Sequence, residues 1–225
     1  LAGLDHEHAA RQRYLLLFER KDGREAPEHG ITIVRATAPV AAYQFNPLTF
    51  ETRAPGGMCI NSFTNDASLL LSERALTRRY IALTAPQFNP PGFSSLGGFI
   101  AVVAVTGETT SVTVQLPRGH GVAEAVNNTV QHDNLTPGDV ALIVGSSPGD
   151  LSGAVIEASN PVAVFAGHDC TYIPRDRPAC DHLEEQLLPM ETLGRDYVIS
   201  ELRDRDLGSL VRIVAPFDDT VVRFE

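Results

Sequence analysis

From Gly30 onward the sequence is a succession of short β-prone runs, each closed by Gly, Pro, Asn or Asp. The runs are "GITIVRA" (30–36), "VAAYQF" (40–45), "YIALTA" (80–85), "FIAVVAV" (99–105), "TSVTVQL" (110–116) and "NTVQHDNL" (128–135). They continue with "VALIVG" (140–145), "GAVIEA" (153–158), "PVAVFAG" (161–167), "YVISEL" (197–202), "LVRIVAP" (210–216) and "TVVRF" (220–224). Turn signals at this spacing predict an all-β fold, a sandwich or barrel, because alternate residues of each short strand then reach a shared core. "SVTVQL" alternates as a half-buried strand does, whereas "FIAVVAV" and "PVAVFAG" are apolar throughout and predict strands covered on both faces. Gly138-Asp139, Pro148-Gly149-Asp150 and Asp218-Asp219 carry turn chemistry, and we read their carboxylates as solvated turn residues rather than Ca²⁺ ligands.

Three pairs of segments repeat in the same order. "ITIVRATAPVAAYQF" (31–45) aligns with "GAVIEASNPVAVFAG" (153–167), "LLSERALTRRYI" (70–81) with "LLPMETLGRDYV" (187–198), and "FIAVVA" (99–104) with "LVRIVA" (210–215). The offsets are 122, 117 and 111 residues. The expectation is tandem antiparallel β-sandwich-like units, with β-propeller-like blades as the alternative. Residues 1–29 then form a separate N-terminal segment, 30–66 the end of a first unit, 67–186 a complete unit and 187–225 the start of another. The chain reads as part of a longer one. For residues 1–29 a short helix closed by Gly23 and a strand at "RYLLLFER" are both compatible with the pattern.

Net charge of −10 disfavours nucleic acid as a partner. No apolar run reaches the length of about 18–20 residues that a membrane span needs. Trp is absent and aromatics are 7% of residues, which weakens a sugar-stacking role.

Chemistry-bearing residues concentrate in "GHDCTYIPRDRPACDHLEEQLLP" (167–189). Three readings compete. As a metal centre, His168, Cys170, Cys180 and His182 offer four donors, but both C/H pairs are separated by a single residue, unlike the common zinc motifs. As a catalytic centre, His168, His182 and Glu184 would serve a metal-dependent hydrolase, although the H-x-E of "DHLEEQ" lacks the P-C-x-x-C that accompanies it in zinc deaminases. As a stapled loop, a Cys170–Cys180 disulfide would close "TYIPRDRPA" and contribute on the order of 2–3 kcal/mol. The stapled loop fits the residues best. It predicts that "DHLEEQLLP" forms a helical turn, with Asp181, His182 and Glu185 as structural residues and His182 facing Glu185 at i, i+3. Cys59 is either free or paired elsewhere, and disulfides point to an oxidising compartment outside the cytosol.

The blocks "NPVAVFAGHDC…ACDHLEEQLLPMETLGRDYVIS" (160–200), "APVAAYQFNPL…SFTNDASLLLSERALTRRYIAL" (38–83) and "GDLSGAVIEASNPVAVF" (149–165) resemble the N-terminal domain family of the IgG Fc-binding protein. The second block resembles bacterial surface members in particular. The resemblance spans about residues 30–225. It implies an extracellular or cell-surface β-rich binding or adhesion module, with Cys170 and Cys180 in the positions of the family's paired cysteines. It further implies no enzymatic activity, no cofactor, a protein or glycan partner, and packing between repeat units.

Overall fold

The computed structural model describes residues 34–53, 59–89, 96–146, 148–173, 175, 176, 181–200 and 210–224. Side chains of 46–53 and 59–65 lie outside this description, as do Cys180 and the N-terminal segment 1–29. The chain divides into two compact units, Leu1–Ala41 and Ala42–Glu225. In the first, residues 34–41 are exposed and form no strand.

The second unit is all-β and antiparallel. Its strands are β1 (Ala42–Arg53), β2 (Cys59–Leu70), β3 (Thr77–Ile81), β4 (Gly98–Ala104), β5 (Thr110–Gln115), β6 (Thr129–Leu135), β7 (Val140–Val144), β8 (Val155–Thr171) and β9 (Asp181–Gln186). Single 3₁₀ turns lie at Glu73–Ala75 and Met190–Thr192. β1 and β2 pair as a hairpin, and the other seven strands form one sheet.

β8 organises that sheet. Its first half, Val155–Ala158, lies between β3 and β5, and its second half, Val162–His168, lies between β4 and β9. β6 extends the β5 side and β7 the β4 side. The change of neighbours falls at Ser159-Asn160-Pro161. Pro161 has no N–H to give a ladder, so it sits where one set of strands stops and another begins. The polar side chains before it satisfy the gap: Ser111 N–H donates to Ser159 Oγ at 3.0 Å, and Asn160 Nδ2 donates to Thr109 O at 3.0 Å. One core lies against this sheet, holding Tyr80, Ile100, Val102, Val112, Val114, Ile143, Ile156, Val162 and Val164, all fully buried.

Several sequence expectations change here. "GAVIEA" and "PVAVFAG" are one 17-residue strand rather than two, because the neighbours change at Ser159-Asn160-Pro161 while the strand itself continues. "DHLEEQ" is strand β9, not a helical turn. The open edge of β8 offers a backbone ladder that outweighs the weak local helical tendency, and His182 and Glu185, three apart in a strand, point to opposite faces. β2 carries no sequence signal strong enough to have been expected. "YIALTA" contributes only Tyr80 and Ile81 to β3. The described parts of "YVISEL", "LVRIVAP" and "TVVRF" form no strand, and Tyr197, Val211, Ile213, Val221 and Phe224 are exposed. Strand propensity expresses packing against neighbours, and among the described residues none of these pairs with a strand.

Asp150 is not a solvated turn carboxylate. Its Oδ1 accepts from Thr84 Oγ1 at 3.0 Å and Ser152 N–H at 2.9 Å, and its Oδ2 lies 3.1 Å from Arg212 Nη2. Burial pushes this carboxyl up, but the hydrogen bonds from Ser152 and Thr84 and the Arg212 charge together hold it below its ordinary range. Asp139 does serve as a turn residue, its Oδ2 accepting from Thr136 N–H and Oγ1, each at 2.7 Å.

Tyr80 links β3 to β8 where the neighbours of β8 change. Its hydroxyl donates to Val162 O at 2.7 Å and accepts from Thr77 N–H at 3.0 Å. Tyr80→Phe removes both bonds and leaves a buried carbonyl unpaired, so it should cost about 1–3 kcal/mol in urea unfolding. Gly167→Ala should be more damaging, since a Cβ there would meet Leu183 O at 1.8 Å and force β9 off its ladder.

Candidate functional site

The C-terminal half of β8 and the adjoining β9 bring together most of the residues singled out from sequence. His168 and Cys170 lie on β8, and Asp181, His182, Glu184 and Glu185 on β9. His168 stands opposite Leu183, and Thr171 opposite Asp181, with a register shift between them. Asp181 is therefore one residue from Cys180 in sequence, while its cross-strand partner Thr171 is one residue from Cys170.

His168 is fully buried. Its Nδ1 accepts from the Cys170 N–H at 3.1 Å, while Nε2 makes no hydrogen bond of good geometry. Burial drives its pKa down to about 4 from 6.5; Arg175 and His182 push the same way, against Asp150 and the Pro86 carbonyl. The ring is thus a neutral structural acceptor at physiological pH. His182 occupies a different setting: its Nδ1 lies 3.2 Å from Asp169 O, its ring stacks on Phe99 with centroids 6.3 Å apart, and Nε2 is 3.9 Å from Glu184 Oε2.

The outer edge of β9 is covered in an unusual way. Glu184 N–H donates to Asp66 Oδ2 at 2.6 Å, and Gln186 N–H donates to Ser68 Oγ at 2.5 Å. Gln186 returns the contact, its Oε1 accepting from Leu71 N–H at 2.6 Å, and Gln44 Nε2 donates to Glu184 Oε1 at 3.1 Å. Side chains of β2 thus take the place of a backbone ladder. Burial raises the Glu185 carboxyl above its usual range, with Asp66 adding to the effect, and burial likewise raises Asp169 and Asp181. Beside this edge lies an open, mostly apolar hollow of about 410 Å³, lined by Leu69, Leu71, Ile81, Leu83, Leu187 and Leu193 among others.

The chemistry available is limited. Among the described residues no three His, Cys, Asp or Glu side chains are placed to hold a metal ion. His168 has its Nδ1 committed to the Cys170 N–H and its ring sealed from solvent, and His182 contacts Glu184 at the edge of ion-pair range. Sequence reasoning found the β8–β9 residues but missed Asp66 and Ser68, which sit over a hundred residues away in a strand without apolar alternation. Cys59 opens β2, and its side chain lies outside the description.

The unit is all-β, and a polar seam closes the outer edge of its strand β9. Its family is shown directly: the IgGFc binding protein family matches residues 66–225, and the chain belongs to it. The human IgGFc-binding protein is 33% identical over 154 residues, covering 68% of this chain and 3% of that protein's length. The bacterial kinship expected in particular finds no support in this relative. No solved structure matches. Among the described residues no helix is long and apolar enough to cross a membrane.

The His168 pKa makes a pH prediction. A base depressed in the folded state is stabilising when neutral, so its contribution is complete above the unfolded value of 6.5 and is lost as pH falls toward about 4. The loss is at most about 3 kcal/mol. Asp169, Asp181 and Glu185, raised by burial, act in the opposite sense, their contribution being lost as pH rises. The difference between wild type and His168→Asn in urea midpoints across pH 4–7 isolates the histidine, and it should shrink toward acid pH.

Proposed function

We propose that this chain is a non-catalytic binding module of an extracellular or cell-surface protein, with another protein as its partner. The observation that carries the reading is membership of the IgGFc binding protein family over residues 66–225. The histidines and acids of the β8–β9 seam support it, because they are engaged in holding strands together. Fc binding is a property in the name of the human relative, and for this chain it is one partner to test. A glycan is the less favoured ligand, given the absence of Trp.

Two structural proposals accompany this reading. Cys170 and Cys180 form a disulfide that staples the β8–β9 connection, supported by the Thr171–Asp181 pairing one residue from each cysteine. Such a bond is consistent with an exported protein. Asp181, His182 and Glu185 are structural residues of the stapled connection. The repeat units proposed are 30–66, 67–186 and 187–225, after the separate segment 1–29. They are supported by the two 3₁₀ turns, Glu73–Ala75 and Met190–Thr192, which occupy equivalent positions in the aligned segments.

Surface plasmon resonance on the immobilised chain, against extracellular proteins including human Fc, tests the function alongside hydrolase assays with added zinc. Saturable protein binding without turnover is the expected result. Zinc-dependent turnover abolished by His182→Ala would replace the binding reading with the hydrolase one. Alkylation without reduction should modify at most Cys59, and intact mass should rise by 2 Da on reduction of one bridge.

A further inference from the structure

Among the described residues, four strands of the seven-stranded sheet pair with one strand each: β3, β6, β7 and β9. Such an edge offers a row of unpaired backbone donors and acceptors, which proteins blunt with charge, bulges or a covering segment. Three of the four edges are treated in that way. β3 carries Arg78 and Arg79, both exposed. β6 carries the exposed Asp133 and a bulge at Asn134, whose φ is 60°. β9 is covered by Asp66 and Ser68.

β7, Val140–Val144, has none of these devices: it contains no charged residue and no proline. Its backbone is oriented by β4. Asp139 O accepts from Ala104 N–H at 3.1 Å, and Gly145 N–H donates to Gly98 O at 2.9 Å. Orientation alternates along an antiparallel strand, so Ala141 and Ile143 also turn their N–H and C=O toward β4. Val140, Leu142 and Val144 turn theirs away, and among the described residues these groups meet no hydrogen-bond partner. The same three side chains are exposed, at 36%, 56% and 43%, while Ala141 and Ile143 are buried. Residues opposite each other in the register share a face, so Val144 lies beside Phe99, and Leu142 beside Ala101 and then Phe165. The open edge thus borders an apolar sheet face.

Symmetry sets what this edge fits. Val140, Leu142 and Val144 read the same in both directions about Leu142. A second β7, turned about a two-fold axis at Leu142, places Leu142 opposite Leu142 and Val140 opposite Val144. Every outward N–H and C=O of the three residues then finds a partner, because opposed residues of the bonded type exchange both bonds. Their side chains meet as aliphatic cross-strand pairs. Asp139 falls opposite Gly145 of the other copy, so no carboxylate faces another.

We propose that β7 pairs with β7 of a second copy, antiparallel about Leu142, and joins two sheets edge to edge in an isologous dimer. A five-residue strand covers less than the roughly 800 Å² per partner of a standard interface. The dimer is accordingly weak and exchanging, with a dissociation constant of about 10–100 µM.

Sedimentation velocity from about 5 µM to about 1 mM tests the contact with wild type, Leu142→Lys, Leu142→Glu and an equimolar mixture of the two variants. Leu142 is exposed, so both variants should keep the wild-type circular dichroism spectrum. Wild type should dimerise, and each variant alone should do so at least about fivefold more weakly, since its new charge lies opposite itself. The mixture should recover the dimer, because a two-fold axis at this residue sets Lys opposite Glu. Residue-resolved amide exchange adds a reading that needs no substitution. The amides of Val140, Leu142 and Val144 should gain protection as wild-type concentration rises, while those of Ala141 and Ile143 are protected throughout. A wild type monomeric at about 1 mM, variants that dimerise normally, a mixture that stays monomeric, or outward amides indifferent to concentration would each overturn the pairing. Protection of those amides in a monomeric chain on addition of human Fc would overturn it in favour of a strand supplied by that protein.

Discussion

The fold depends on one strand serving four neighbours. β8 is long enough to pair with β3 and β5 over its first half and with β4 and β9 over its second. Its buried residues, Ile156 in one half and Val162 and Val164 in the other, belong to the same core. A continuous strand that changes neighbours midway must do so without leaving polar groups unpaired. Pro161 supplies the interruption, and Ser159 and Asn160 supply the replacement hydrogen bonds. Tyr80 then holds β3 against β8 just beyond this change, through a buried hydroxyl.

The seam between β8 and β9 depends on this arrangement. Once β8 is fixed, His168 is carried into the interior, where a charged ring is too costly, and its Nδ1 is used to accept the Cys170 N–H. The same placement brings β9 to an edge, where β2 meets it through Asp66 and Ser68. Residues that resemble a catalytic set by type are thereby consumed by strand connection.

Much of the fold was legible because its core strands are short, apolar and bounded by turns. "SVTVQ" lies within the alternating β5, and "FIAVVAV" corresponds to β4, held between β7 and β8. The errors fell where neighbours decide structure. "DHLEEQ" has no strand pattern of its own and becomes β9 because β8 has an open edge beside it. "LVRIVAP" and "TVVRF" have a strand pattern but pair with no strand among the described residues. Of the candidate site, the β8–β9 residues were visible as a cluster in sequence. Asp66 and Ser68 were not, since nothing local marks a side chain destined to accept a backbone proton from a distant strand.

The covering of β9 by two side chains, described above as a substitute for a ladder, also bears on how such an edge can change over evolutionary time. A laddered edge is protected by the main chain and cannot be opened without moving a whole strand. Here the protection is encoded at Asp66 and Ser68, so a single codon change at either position alters whether a backbone donor is free. The edge is thus open to gradual selection, one residue at a time, between a sealed monomer and a surface that recruits another strand.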